Sequence, residues 1–276
     1  MGLSVLFLLR LRVNTAVSWN IELSEARVLL LNDDGIDAPG LKLLEEILRP
    51  IVRELWVVAP EKEESGTSHA ISLHRPLRIR KAGPNRFAVD GLPSDAAILA
   101  LGVIMKNETP DLIISGVNRG ANLGDDVGYS GTVGAALEAA LSGFPAVAIS
   151  LCRNPPAEAR WETVREHLLP TLNWLLCESW PVGTILNVNI PDVAPELVTG
   201  RCLTRLGRRK PGGEIIERVD PAGRPYYWVG SKRVLGKILS DSDVCATDEG
   251  KISVTPLTYD LTDEATLLEA RTRLSP

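Results

Sequence analysis

The chain has 276 residues, of which 45% are hydrophobic and 24% charged, and its formal net charge is -5. These values are typical of a globular protein with one large domain or two small ones, and they exclude an extensively disordered chain. Because nonspecific binding to nucleic acids depends on Lys and Arg neutralising phosphates, the negative charge also disfavours a nucleic-acid polymer as partner.

Residues 1–24 are an apolar N-terminal extension interrupted by Arg10 and Arg12. The apolar run is far shorter than the roughly 20 residues that span a bilayer, and it lacks the charged start and cleavage site of a signal peptide. We therefore expect an extension that precedes the folded core and no association with a membrane.

Strand-like apolar runs alternate with helix-like segments from residue 25 to about residue 204. The predicted strands are ARVLLLN, ELWVVAP, the pair ISLHRPLRIRK and RFAVDG, PDLIISG, PAVAISL and ILNVNIP. The predicted helices begin at Pro39 and continue with PSDAAILALGVIM, TVGAALEAALSG and WETVREHLLPTLNWLLC, the last with a kink at Pro170. This order predicts an α/β core over residues 25–204, with a mostly parallel sheet covered by helices on both faces.

The texture of the sequence changes after residue 204, where Gly and Pro clusters separate short alternating segments. Residues 205–276 are predicted to form a β-hairpin arm, the returning strand GKISVTPLTYDL and a terminal helix that begins near Thr262. The arm carries Tyr226, Tyr227 and Trp228, and exposed aromatic residues of this kind often mark a subunit interface.

Three polar loops follow buried strands of the predicted sheet, at residues 32–40, 61–70 and 116–131. Ligands of such folds bind outside the carboxyl ends of the strands, so the three loops are expected to meet at one crevice.

The first loop carries the adjacent carboxylates Asp33 and Asp34, which repel each other unless a cation or a proton lies between them. Hard oxygen ligands suit Mg²⁺, Mn²⁺ or Ca²⁺. The alternative is that Asp33 caps a turn, Asp34 begins the tight turn at Gly35, and Asp37 serves the N-terminus of the next helix. The position at a strand end favours the metal site.

The other two loops offer hydroxyl, amide and backbone groups. The second loop contains Ser65, Gly66 and Thr67, and a solvated loop is the alternative interpretation. The third loop offers Asn118 and Asn122, and then Ser130, Gly131 and Thr132, which lead directly into a helix. The start of that helix suits a phosphate, and ordinary capping by Ser130 is a competing explanation that is compatible with phosphate binding. For Asp125 and Asp126 a structural role is preferred to a second metal pair.

Other catalytic motifs are missing. The sequence has no P-loop, no GxGxxG fingerprint and no GxSxG elbow. Its four cysteines lie far apart, and the chain has only three histidines. A zinc site or a Ser-His-Asp triad is therefore not favoured. What remains is metal-assisted attack on a phosphate ester, in a cytoplasmic protein with reduced or buried thiols.

At these residues the sequence resembles the SurE survival-protein family, metal-dependent 5′/3′-nucleotidases that act on nucleoside monophosphates. The resemblance extends from about Arg27 to Asp263. It is carried, in order, by LLLNDDGIDAPGL, VVAPEKEESGTSHAIS, PDLIISGVNRGANLGDDVGYSGTVGAALEAALSGFPAVAIS, LNVNIP and GKISVTPLTYDLT.

The resemblance implies a Rossmann-like core with one divalent metal ion per subunit, and catalysis by Asp33, Asp34 and Asn118. The positions that match the family's metal ligands are Asp33, Asp34, Ser65 and Asn118, and its phosphate site falls near Gly66, Thr67 and the turn of Ser130, Gly131 and Thr132. It also implies a homodimer or homotetramer in which the C-terminal segments are exchanged between subunits. Two alternatives stay open: a broad phosphomonoesterase or exopolyphosphatase, and a noncatalytic nucleotide-binding module.

Overall fold

The described part of the molecule is a nine-stranded sheet with helices on both faces. A computed structural model describes residues 17–153, 158–210, 214–230, 233–236 and 239–274. The strands are β1 (Val17–Ser18), β2 (Arg27–Leu31), β3 (Glu54–Pro60), β4 (Ile79–Gly83), β5 (Arg86–Val89), β6 (Leu112–Asn118), β7 (Ala146–Cys152), β8 (Ser179–Trp180), β9 (Thr184–Pro191), β10 (Gly200–Leu203), β11 (Arg209–Lys210), β12 (Ile215–Val219), β13 (Pro225–Val229), β14 (Val234–Leu235) and β15 (Lys251–Thr258). The helices are α1 (Pro39–Leu48), α2 (Pro93–Leu99), α3 (Gly131–Leu141), α4 (Trp161–Leu176), α5 (Asp243–Asp248) and α6 (Glu264–Leu274).

The strand order of the large sheet is β10-β15-β9-β7-β6-β2-β3-β5-β4. The six strands from β9 to β5 run parallel, β4 pairs with β5 antiparallel at one edge, and β15 pairs antiparallel with β9. Helices α1 and α4 pack on one face, whereas α2 and α3 pack on the other. The predicted α/β fold with helices on both faces is confirmed.

The chain changes direction across the sheet between β2 and β6. From β2 it proceeds to β3 and β5 on one side, and β6, β7 and β9 then build the other side. Strands β2 and β6 are buried runs of apolar residues, as expected for central strands of a parallel sheet. The crevice at the carboxyl ends of β2 and β6 is therefore the topological switch point, where such folds bind their ligands.

The predicted strand ISLHRPLRIRK is wrong over residues 71–78, because β4 begins only at Ile79. Pro76 has no N–H to donate to a neighbouring strand. The backbone N–H groups of Ser72 and Arg78 donate instead to the side chains of Asp95 and Asp90. In this segment, these backbone N–H groups donate to side-chain carboxylates instead of to a neighbouring strand.

Residues 17–24 of the predicted extension pack on the core, and residues 1–16 lie outside the described part. Strand β1 pairs with β8, and Trp19 is buried with its ring edge-on to Trp180 at 6.4 Å between centroids. Leu23 is buried as well. These contacts place an apolar anchor beside the C-terminal end of α4.

The C-terminal part confirms the predicted hairpin, returning strand and terminal helix. Strands β12 and β13 pair antiparallel from Ile215↔Val229 to Val219↔Pro225, and β15 lies inside the large sheet. Residues 211–213, 231–232 and 237–238 of the arm lie outside the described ranges. Helix α5, which the sequence did not predict, is capped by Ser242. In the described ranges no helix has the length and apolar character needed to cross a membrane.

Candidate metal and phosphate site

The loop after β2 is held rigidly at the switch point. Asn32 donates its side-chain N–H to the carbonyl of Gly35 at 2.8 Å, and the N–H of Ile36 donates to the carbonyl of Pro60 at 2.8 Å. Gly35 has a φ of +99°, and a Cβ there would lie 3.0 Å from the backbone of Lys62. The turn therefore requires glycine, and it fixes the two carboxylates that precede it.

Asp33 is only 3% exposed, and its carboxylate meets the start of α3. The Thr132 hydroxyl donates to Asp33 Oδ1 at 2.5 Å, and a Cβ on Gly131 would lie 2.8 Å from the Asp33 Cβ. Burial raises the pKa of Asp33 to about 6; the Thr132 hydroxyl opposes this shift, and the neighbouring charge of Asp34 adds to it. Asp33 is a buried carboxylate that lacks a full counter-charge.

Asp34 faces a pocket of about 360 Å³ at the same strand ends. The backbone N–H of Arg119 donates to Asp34 Oδ2 at 3.1 Å. Burial raises the pKa of Asp34 against the effect of that bond, and the charge of Glu63 raises it further. The pocket is lined by Asp34, Ala38, Pro39, Gly40, Glu63, Ser65, Asn118, Arg119 and Arg153.

Three of the four predicted metal ligands, Asp34, Ser65 and Asn118, thus share one pocket. The Ser65 hydroxyl donates to Glu63 Oε1 at 3.0 Å. The Asn118 amide N–H donates to the carbonyl of Gly120 at 2.9 Å, which fixes the orientation of the amide. Asp33, the fourth predicted ligand, directs its Oδ1 at Thr132 instead.

The residues at this pocket fit a hard divalent cation. Carboxylate, hydroxyl and amide oxygens are the ligands that Mg²⁺, Mn²⁺ and Ca²⁺ prefer. Burial raises the pKa of both adjacent aspartates, so a bound cation would supply the missing counter-charge. In the part of the chain that the structure describes, no group of three or more His, Cys, Asp or Glu side chains is placed to hold a metal. The groups available to hold a cation are therefore two carboxylates together with neutral hydroxyl and amide oxygens.

The second loop closes against the third. The Ser68 N–H donates to the carbonyl of Tyr129 at 3.0 Å, and the Ser68 hydroxyl donates to the carbonyl of Gly128 at 2.8 Å. Thr67 donates its hydroxyl to the carbonyl of Glu64 at 2.8 Å. A Cβ on Gly66 would meet nothing within 4 Å, so this glycine borders open space.

The predicted phosphate residues of the third loop are engaged with the protein itself. The Ser130 hydroxyl accepts the N–H of Val133 at 3.1 Å and caps α3. Thr132 contacts Asp33 through its hydroxyl, and its backbone N–H also acts on the Asp33 carboxylate. The Asn122 side chain is buried and donates to the Ser150 hydroxyl at 2.8 Å, and its backbone carbonyl accepts the amide of Asn187. The structure brings Gly131 and Thr132 to Asp33, whereas the Asn122 side chain binds within the sheet.

Comparison with known proteins decides the family. The model of the survival protein SurE family matches residues 28–212. The chain belongs to the SurE family. It is 48% identical over 240 residues to a 5′-nucleotidase SurE of Paramagnetospirillum magneticum, covering 87% of this chain and 92% of that protein. A 5′-nucleotidase SurE of Parvibaculum lavamentivorans is 46% identical over 244 residues, covering 87% and 88%.

A solved structure agrees with the fold of this SurE chain. The crystal structure of the SurE protein from Aquifex aeolicus superimposes with a TM-score of 0.78 at 35% identity, and the match covers 90% of this chain and 99% of that one. The family resemblance expected from the sequence is confirmed.

Three charged residues of the SurE pocket were not predicted from the sequence: Glu63, Arg119 and Arg153. Arg119 and Arg153 follow the last residues of the neighbouring strands β6 and β7. The strand-end rule that selected Asn118 could have found both arginines.

The acidic pair Asp125 and Asp126 of this SurE chain contacts the arm rather than the pocket. Asp125 accepts the backbone N–H of Arg209 at 2.9 Å and lies 3.1 Å from the guanidinium of Arg208. Asp126 is buried and lies 2.8 Å from Arg233 Nε. These contacts agree with the structural role preferred from the sequence.

Proposed function

We propose that this chain hydrolyses nucleoside monophosphates to a nucleoside and phosphate, as a metal-dependent 5′/3′-nucleotidase. The observation that carries the proposal is the pocket at the switch point, where Asp34, Ser65 and Asn118 meet from three separate loops. Similarity to relatives named 5′-nucleotidase over most of the chain supports the same reaction.

The divalent ion, Mg²⁺, Mn²⁺ or Ca²⁺, would be held by Asp33, Asp34, Ser65 and Asn118, one ion per subunit. When bound, it supplies Lewis-acid polarisation of the phosphoryl group and lowers the pKa of water. The Thr132 hydroxyl fixes Asp33 at 2.5 Å. The Arg119 N–H fixes Asp34 at 3.1 Å, so the pocket orients its carboxylates before substrate arrives.

Within the reaction, Asp34 accepts a hydrogen bond from the attacking water and orients it toward phosphorus. Asn118 lies at the end of β6, and its amide is oriented by the carbonyl of Gly120. It stabilises the charge that develops on the phosphoryl oxygens. The predicted phosphate contacts of Gly66, Thr67, Asn122, Ser130, Gly131 and Thr132 stay a proposal. Of these, Gly66 borders open space.

We also propose a homodimer or homotetramer in the cytoplasm, formed by exchange of C-terminal segments. The exposed hairpin of β12 and β13 and the exposed helix α6 support this assembly, because neither buries its apolar residues within one chain. The four free cysteines support a reducing compartment.

The test is a phosphate-release assay on the full chain with AMP, GMP and 3′-AMP, with p-nitrophenyl phosphate and polyphosphate as competing substrate classes. We expect turnover of nucleotides that depends on Mn²⁺ or Mg²⁺ and stops in EDTA. The Asp34→Asn variant should bind no catalytic metal and lose turnover at least about a hundredfold, with unchanged circular dichroism. Equal turnover of Asp34→Asn and parent would refute the proposal, and preference for polyphosphate would indicate an exopolyphosphatase.

A further inference from the structure

The start of α3, which is part of the proposed phosphate site, already contacts a carboxylate of the chain. Thr132 gives both its hydroxyl and its backbone N–H to Asp33, and Ser130 uses its hydroxyl to cap the helix. The helix dipole favours only a limited amount of negative charge at its N-terminus. A phosphate dianion bound at the metal therefore needs positive groups from elsewhere.

The metal pocket itself contains two such groups. Arg119 follows Asn118 at the end of β6, and Arg153 follows Cys152 at the end of β7. Strands β6 and β7 are neighbours that pair in parallel as far as Asn118↔Ser150. Both arginines therefore lie just beyond the carboxyl ends of adjacent strands. Both line the 360 Å³ pocket together with Asp34, Ser65 and Asn118.

The guanidinium of Arg119 can be released to a ligand. It lies 3.7 Å from a Glu158 carboxylate whose side chain is 93% exposed. Exposed pairs of this kind contribute little free energy, so a bound phosphate can displace Glu158. The hydrogen bond from Arg119 to Asp34 is made by the backbone N–H, so it stays in place when the side chain changes. The guanidinium charge also acts on Asp34 and lowers its pKa.

Charge balance in the pocket calls for these arginines. A divalent cation offsets the charges of Asp33 and Asp34, but Glu63 also lines the pocket and its charge acts on Asp34. Without the two guanidinium groups, a phosphate dianion would enter a pocket that is still negative. Guanidinium groups bind phosphate oxygens by paired, charge-assisted hydrogen bonds, which gives both affinity and orientation.

We propose that Arg119 and Arg153 bind the phosphoryl group of the substrate, and the phosphate product, in the pocket that they line with Asp34 and Glu63. The inference rests on the proposed function for the identity of the substrate. The ligand chemistry, a phosphate dianion beside a divalent cation, can be tested with inorganic phosphate alone.

The experiment compares the full-length parent chain with Arg119→Met, Arg119→Lys, Arg153→Met and the control Arg165→Met. Arg165 lies on α4, pairs with Glu46 at 2.6 Å and is half-exposed, as Arg119 is, but it does not line the pocket. Calorimetry measures binding of inorganic phosphate to the Mn²⁺-loaded proteins, and Mn²⁺ titration measures metal affinity. Inhibition of AMP hydrolysis by phosphate gives a second, kinetic value.

We expect Arg119→Met and Arg153→Met each to weaken phosphate binding about tenfold or more, with KM for AMP rising in parallel. Arg119→Lys should lie between Arg119→Met and parent, because it keeps the charge and loses the paired geometry. Mn²⁺ affinity and melting temperature should stay at the values of Arg165→Met.

Phosphate affinities equal to that of Arg165→Met would overturn the inference. A parallel loss of Mn²⁺ binding would also overturn it, because the arginines would then act through the metal ligands. If the parent hydrolyses no nucleotide yet binds phosphate in an arginine-dependent way, the proposed function fails and the anion site stands.

Discussion

Asp33 is a buried carboxylate, 3% exposed, at the end of β2. Burial raises its pKa from 3.8 to about 6, and Thr132 offsets only part of this effect. A buried carboxylate without a full counter-charge lowers the stability of the fold, a cost that proteins commonly carry at functional sites. The cost has a definite pH dependence.

Metal-free protein should lose stability as the pH rises from about 4 to about 6. In that interval the folded chain retains a proton on Asp33 that the unfolded chain has released, so the free energy of unfolding falls. The Asp33→Asn variant cannot ionise. We expect it to be more stable than the parent by about 2–3 kcal/mol above pH 7, a difference that shrinks to nothing below pH 4.

Thermal melts in EDTA across this pH range measure the difference. Asp37→Asn serves as the control, since Asp37 is an exposed carboxylate of the same loop. If the difference in melting temperature between Asp33→Asn and the parent were the same at every pH, the assignment of the buried charge would be contradicted.

Single residues also show where prediction from the sequence ends. Asp33, Asp34 and Asn118 could be selected because each follows a buried run whose strand end is readable from hydrophobicity. The contacts of Asn122 with Ser150 and Asn187 could not, because they join segments that meet only after the sheet has formed.

At the scale of elements, the loop between β2 and α1 is anchored to β5 by Arg86. The guanidinium donates to the carbonyl of Ile36 in the loop and to Glu45 Oε2 on α1 at 3.2 Å. Both charged side chains are largely buried, at 17% and 14% exposure. One side chain therefore fixes the loop that carries Asp33 and Asp34, the two carboxylates proposed as metal ligands.

We expect Arg86→Met to weaken Mn²⁺ binding about tenfold, because groups that orient metal ligands contribute on this scale. Isothermal titration with Mn²⁺ measures the effect. Arg80→Met is the matched control: Arg80 lies on the adjacent strand β4 and pairs with Glu61 on the surface. Equal Mn²⁺ affinities for the two variants would show that Arg86 does not position the loop.

Most elements could be predicted because their apolar periodicity agrees with their burial. Strands β2, β3, β6, β7 and β9 are examples, since parallel strands buried on both faces produce continuous apolar runs. Residues 71–78 alternate like a strand, yet Asp90 and Asp95 bind their backbone. Helix α5 is too short to produce a periodic signal, and its first turn is set by Ser242.

At the scale of the whole molecule, the arm leaves apolar surface without a cover. Tyr227, Trp228 and Val229 on β13 are 60%, 62% and 76% exposed. The arm base is tied to the third loop by the ion pairs of Asp125 and Asp126, so the hairpin projects from a fixed point. This arrangement is suited to contact with another copy of the chain.

The Trp228→Asp variant should therefore shift the protein from a dimer or tetramer toward the monomer. Light scattering coupled to size-exclusion chromatography measures the mass of the particle. Arg224→Ala, at the turn of the same hairpin, should leave the assembly unchanged, because its pair with Asp220 is local and exposed. A parent chain that is monomeric throughout would contradict the proposed exchange.

The proposed reaction requires three distant loops to surround one cation at the end of β2. Crystals of the parent soaked in Mn²⁺, with anomalous diffraction recorded near the manganese edge, locate that cation. We expect one strong peak per chain among the oxygens of Asp34, Ser65 and Asn118, beside Asp33, and no peak there in Asp34→Asn. A peak elsewhere in the parent, or an equal peak in the variant, would contradict it.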